Sequence, residues 1–172
     1  VVKTDGEYIY QVNNRRIVVV KACPADEMEV KSIINFTDEG FSPREMYLDE
    51  KNLVVIGSAY NEIPIYRPDV KRMPENYLPS HRRSTVKVIV YDITDKTQIK
   101  KIREVEVDGN YVSSRKIGPA VYFVANKGIY YRYLETPTEN ITPSYRDTAV
   151  KDEFINIDLA KIYYFPGCVH SS

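Results

Sequence analysis

Apolar residues along this chain run in short blocks separated by polar joints, and the blocks fall at strand spacing. The segment RIVVVKACPADEMEVKSIINF (16–36) lies over KVIVYDITDKTQIKKIREVEV (87–107) without a gap, at an offset of 71. Apolar positions coincide at Ile17/Val88, Val18/Ile89, Val19/Val90, Val20/Tyr91, Ala22/Ile93, Met28/Ile99, Ile34/Val105 and Phe36/Val107. The joints CPAD and TDKT coincide as well, both of turn-forming composition. The pattern predicts strand, turn and strand, twice over. Continuous runs such as 88–91 predict strands covered on both faces, whereas REVEV alternates as a half-exposed strand does. Helical periodicity is weak except around residues 147–157.

A second alignment is threefold. IYQVNN (9–14), LVVIGS (53–58) and VYFVAN (121–126) each set an apolar run ahead of a small or Asn-containing turn. Each follows a shorter extended segment: VVKT, REMYLD and YVSSRKI. The recurring order predicts units of four antiparallel strands, the signature of a β-propeller built from stacked blades. A β-sandwich of short strands is the alternative, and the gapless repeat favours the propeller. The expected fold is all-β, with blade-like units at about 1–36, 44–107 and 111–172. Two to three such units form a partial propeller, an open arc, since a closed ring needs about four or more. Arcs expose sheet edges, which offer a route to self-association.

Two stretches interrupt the repeat. After IYQV the chain turns tightly through NNRR, where Asn-Asn suits a hairpin with positive φ. At the same point of the second unit stand 26 extra residues, 59–84, whose Pro64, Pro68, Pro74 and Pro79 exclude a central strand. The third unit opens there into a second long insertion, 129–151. Both are rich in Tyr and Ile, unlike plain disordered linkers. Equivalent turns of successive blades emerge on one face, so the insertions are expected side by side, and that face is the candidate for binding. Tyr60, Tyr66, Arg67, Arg72, Tyr77, His81, Arg82 and Arg83 in the first, with Tyr130, Tyr131, Tyr145, Arg146 and Asp147 in the second, have interface composition. The competing reading is that these loops only cap and brace the rim. Arg115 falls on the predicted innermost strand, where a guanidinium must be paired or solvated; it marks either an anion site or an inter-blade ion pair.

Composition narrows the function classes. The 172 residues carry 24 Lys and Arg against 24 Asp and Glu, so no global field favours nucleic acid. No run of 18 apolar residues exists to span a bilayer. Fifteen tyrosines and five phenylalanines, with no tryptophan, fit strands and wet interfaces. His81 and His170 are the two histidines and no G-x-S-x-G elbow occurs, which argues against a Ser-His-Asp site. Cys168 and His170 share a strand but find zinc partners only if Cys23 comes close, and one Cys23–Cys168 bridge is an alternative to two idle thiols. No cofactor is expected. Calcium is the one ion with candidate ligands, Asp92 and Asp95 in one turn and Asp147, Asp152 and Glu153 in another; acidic turn residues ordinarily cap backbone instead. The sequons at Asn35 and Asn140 are chance matches if the source is bacterial.

The segments STVKVIVYDITDK, REVEVDGNYVSSRKIG, VYFVANK and TPSYRD resemble the β-propeller domain family of secreted bacterial and archaeal proteins. The resemblance covers essentially the whole chain and is strongest at Ser114-Arg115-Lys116-Ile117-Gly118 and Pro143-Ser144-Tyr145-Arg146-Asp147. It implies the N-terminal part of that domain, a piece cut from a longer protein, in an extracellular or cell-surface setting. It implies no assigned reaction. The expected function is a binding module that recognises a protein or glycan through the loop face. The alternatives are part of a hydrolytic enzyme completed by further blades, and a purely structural assembly module.

Overall fold

The computed structural model describes residues 1–37, 40–64, 80–128 and 142–163, and their side chains except those of 61–64, 80–82 and 159. Strands β1 (Val2–Thr4), β2 (Tyr8–Asn13), β3 (Arg16–Lys21) and β4 (Glu29–Asn35) form an antiparallel sheet in chain order. Strands β5 (Phe41–Leu48), β6 (Asn52–Pro64), β7 (Ser80–Asp92) and β8 (Lys100–Asp108) repeat that order in a second sheet. Strands β9 (Asn110–Ile117) and β10 (Ala120–Asn126) pair as a separate hairpin. Strands β11 (Ser144–Asp147) and β12 (Lys151–Asn156) join the outer edge of β8, so the second sheet has six strands. Among the described residues no helix is long and apolar enough to cross a membrane.

The repeat holds down to the hydrogen-bond register. In the first sheet Ile17 faces Ile34 and Val19 faces Ser32; the ladder then slips past Lys31, so that Val20 faces Val30. In the second, Val88 faces Val105 and Val90 faces Arg103; the ladder slips past Ile102, so that Tyr91 faces Lys101. Every pair is the first-sheet pair plus 71, bulge included. A bulge adds local twist, so its reuse gives the two sheets the same coil where they stack. Another bulge recurs on the inner strands. The β5–β6 ladder passes Arg44 between Pro43/Gly57 and Glu45/Ile56. The β9–β10 ladder passes Val112 between Tyr111/Ala125 and Ser113/Val124. The described residues thus hold two four-stranded units and a hairpin that repeats the bulge of the first two strands of the second.

Sheet two is covered on both faces, as its continuous apolar runs predict. Toward sheet one, Met46, Leu53, Val55, Ile89 and Tyr91 pack against Tyr10, Ile17, Val19 and Phe36. Toward the β9–β10 hairpin, Ile56, Val86 and Val88 pack against Tyr111, Val121 and Phe123. Each fully buried side chain of this size stabilises by about 1.5–3 kcal/mol, so stacking of apolar faces holds the arc together. Polar clamps lock the stacking angle. Lys96, on the β7–β8 connection, lies 3.5 Å from the Asp5 carboxylate and 5.4 and 5.7 Å from the Tyr8 and Tyr10 ring centres. On the other side the Tyr47 and Tyr111 hydroxyls both meet Ser114 Oγ, at 2.9 and 2.8 Å.

Three local expectations change. Residues 147–157 carry no helix: the Asp147 side chain accepts from the Ala149 N–H at 3.0 Å, its carbonyl accepts from the Val150 N–H at 3.0 Å, and the resulting turn joins β11 to β12. Pairing with β8 overrides a weak local periodicity. The alternating strand REVEV is not half-exposed on its acidic side, since Glu104 and Glu106 are only 6% and 2% exposed, and Asp108, next on that side, is 6% exposed. Finally, insertion 59–84 departs from the sheet as strand. Pairing of β6 with β7 runs on from Tyr60/Ser84 to Pro64/Ser80, past the ends of β5 and β8, as a two-stranded ribbon whose open edges accommodate Pro64.

Candidate functional site

Asp108 ends β8, and around its carboxylate the bases of both insertions meet. Arg83, from the base of the first, donates Nε to Asp108 Oδ1 and also reaches Ser144 Oγ. Lys127, where the chain leaves β10 for the second insertion, donates to Asp108 Oδ2 at 3.1 Å and to the Thr142 carbonyl at 3.0 Å. Ser144, where the chain returns, donates its N–H and its hydroxyl to the same Oδ2, each at 2.9 Å. Burial would push the Asp108 carboxyl up, but the hydrogen bonds and charge of Arg83 and the bonds from Ser144 hold it below its ordinary value. The carboxylate therefore stays charged, as an anchor must. Gly109 follows with φ +116°, and a side chain there would stand 2.7 Å from the Asn126 carbonyl oxygen. Only glycine lets β8 turn into β9 so close to the end of β10.

Below Asp108 on the same face of β8 run Glu106 and Glu104. Arg146 of β11 reaches both with Nη2, at 3.0 Å to Glu106, and reaches Asp152 at 2.6 Å with Nη1. Lys87 of β7 lies 3.3 Å from Glu104 and 3.8 Å from Glu106, and Thr85 donates its hydroxyl to Glu106 at 2.5 Å. Burial raises the Glu104 carboxyl, yet Lys87, Lys101 and Arg146 together keep it below its ordinary value. Two neighbouring carboxylates suggest glycoside hydrolysis, but that chemistry needs one of them protonated and raised. Glu104, held ionised by three cations, does not supply that acid. The Phe154 ring closes the cluster, with the Arg83 guanidinium 4.0 Å and the Arg146 guanidinium 5.8 Å from its centre.

The family model of the beta propeller domain matches residues 1–172, the whole chain. The chain belongs to the beta propeller domain family. No curated protein and no solved structure matches it.

In this propeller the candidate residues scatter. Tyr66, Arg67, Arg72, Tyr77, Tyr130 and Tyr131 lie outside the described residues, and His81 and Arg82 are described only as backbone of β7. Arg83 and Arg146 enter the carboxylate cluster. Tyr145 on β11 and Tyr60 on β6 are exposed. Asp147 accepts both Nε and Nη2 of Arg103, at 3.0 and 2.5 Å, which keeps its carboxyl below its ordinary value. Arg115 is exposed on β9. Asp92 and Asp95 each accept a backbone N–H two residues on, from Thr94 and Thr97, the capping role of acidic turn residues. Among the described residues no group of three or more His, Cys, Asp or Glu is placed to hold a metal ion. Cys23 is an exposed free thiol; Cys168 and His170 lie outside the described residues.

Asp108, Glu104, Glu106, Lys87 and Lys127 were not singled out by their sequence pattern. The signal was present: three acids at alternate positions on one strand, ahead of a glycine. Alternation says which residues share a face and leaves open which face is covered.

Proposed function

We propose that this propeller is an extracytoplasmic interaction module that presents the insertion face to a protein or glycan partner. A beta propeller domain is an interaction or structural scaffold. The observation that carries the finer reading is the convergence of Arg83, Lys127 and Ser144 on Asp108, which supports insertions 59–84 and 129–151 acting as one surface. Loops on a rigid sheet scaffold are where binding residues concentrate. The test uses the immobilised chain against a glycan array and a displayed protein library. The variant Tyr66→Ala, Arg67→Ala, Arg82→Ala keeps the wild-type melting temperature and loses the captured partner. Capture by that variant equal to wild type refutes the reading.

A second reading has its own support. The outward face of sheet one exposes Val2, Val30 and Ile33, and β9–β10 exposes Ile117, Tyr122 and Val124. Apolar sheet faces of this kind favour a structural role in which further sheets stack on the arc. Light scattering that finds a monomer at micromolar concentration counts against stacking between copies.

A further inference from the structure

The hairpin β11–β12 is attached unlike any other strand pair of the fold. No residue of 144–156 belongs to either apolar cluster. Its ladder to β8 has three positions, Tyr145/Val107, Arg146/Glu106 and Asp147/Val105. Among the described residues the rest of the attachment is polar: Arg146 on Glu104 and Glu106, Arg103 on Asp147, Ser144 on Asp108, and the Thr148 hydroxyl accepting the Glu104 N–H at 2.9 Å. Toward the turn a shallow cleft of about 280 Å³, lined by Lys101, Arg103, Glu104, Arg146, Thr148 and Asp152, lies between hairpin and sheet. Elements held by hydrogen bonds and ion pairs, without buried apolar area, open at lower free energy than the core they rest on.

We infer that the β11–β12 hairpin is a strap that opens as a unit of its own, lifting Ser144 off Asp108 while both apolar clusters stay packed. Ser144 is part of the hairpin and part of the Asp108 anchor, so opening the strap also takes Ser144 off that carboxylate. Arg83 remains on Asp108 and keeps the first insertion anchored, while Lys127 still holds the departing side of the second. The fold thereby carries a closed state with Arg83, Lys127 and Ser144 all on Asp108 and an open state in which Ser144 has left it. This concerns opening of the chain itself, and it stands whether or not the face binds a partner.

Native-state amide exchange read by mass spectrometry on the full chain tests it with two kinds of variant. Arg146→Met, or Arg103→Met at a more exposed pair, is expected to speed exchange in 144–156 and leave β6 and β7 unchanged. For Arg146→Met the rise is at least about tenfold, because a buried pair loses one partner. Ile89→Val, a core change, is expected to speed β6 and β7 and leave 144–156 unchanged, because the strap exchanges through its own opening. If either variant speeds both sets together, the hairpin opens only with the blades and the inference is overturned.

Discussion

At Gly57 the backbones of β5 and β6 approach so closely that a side chain there would stand 2.2 Å from the Ser42 carbonyl oxygen and 2.6 Å from the Phe41 ring. Phe41 is itself fully buried and meets Phe36 edge-on, ring centres 5.0 Å apart, at the junction of the two sheets. Neither neighbour has room to yield. Gly57→Ala is therefore expected to cost about 1–3 kcal/mol, as overpacking does, measured as a lower urea midpoint with an unchanged slope. An unaltered midpoint would mean that the two strands part more easily than their packing implies. The tyrosines follow a related logic. Tyr10 is buried yet donates its hydroxyl to Asp5 at 3.1 Å; burial first, then the Asp5 charge, drives its pKa far above the ordinary value, so it remains a neutral donor. Tyrosine enrichment was readable as a taste for half-wet interfaces, and Tyr8, Tyr10, Tyr47 and Tyr111 serve that purpose between the sheets.

At the scale of elements, what could be read from the chain was what repeats locally. The 71-residue offset predicted β3, β4, β7 and β8, because a shared bulge and a shared ladder constrain the same positions twice. The docking of β11–β12 was not readable. It depends on Arg146 finding Glu104 and Glu106 some 40 residues away, and no local period encodes that. The same polar attachment sets a pH dependence. Asp108, Glu104 and Asp147 all have folded pKa values below their ordinary 3.8, 4.5 and 3.8. A group depressed in the folded state stabilises above its unfolded value and loses that contribution as the pH falls through the folded value. The strap is thus expected to be fully seated above about pH 4.5 and to loosen in stronger acid. In amide NMR spectra titrated downward, signals of 144–156 should reach unfolded positions before those of β6 and β7. Simultaneous loss of both sets would contradict this.

For the molecule as a whole, the open arc and the stacking of sheets were readable because continuous apolar runs demand cover on both faces. That the insertions share a face was a geometric expectation; what joins their described bases was not legible, a single carboxylate at the end of β8. If Asp108 unites the two bases, removing its charge must disturb both at once. The measurement is amide exchange by NMR in wild type and Asp108→Asn, at Arg83 and Ser84 beside the first insertion and at Lys127 and Ser144 beside the second. Faster exchange at both flanks, by about tenfold or more, with Ile17–Val19 and Leu53–Ile56 unchanged, is the predicted result, since two half-buried cations lose their buried anion. A rise at one flank alone, or at neither, would mean that the insertions are independent and that no common face is built there.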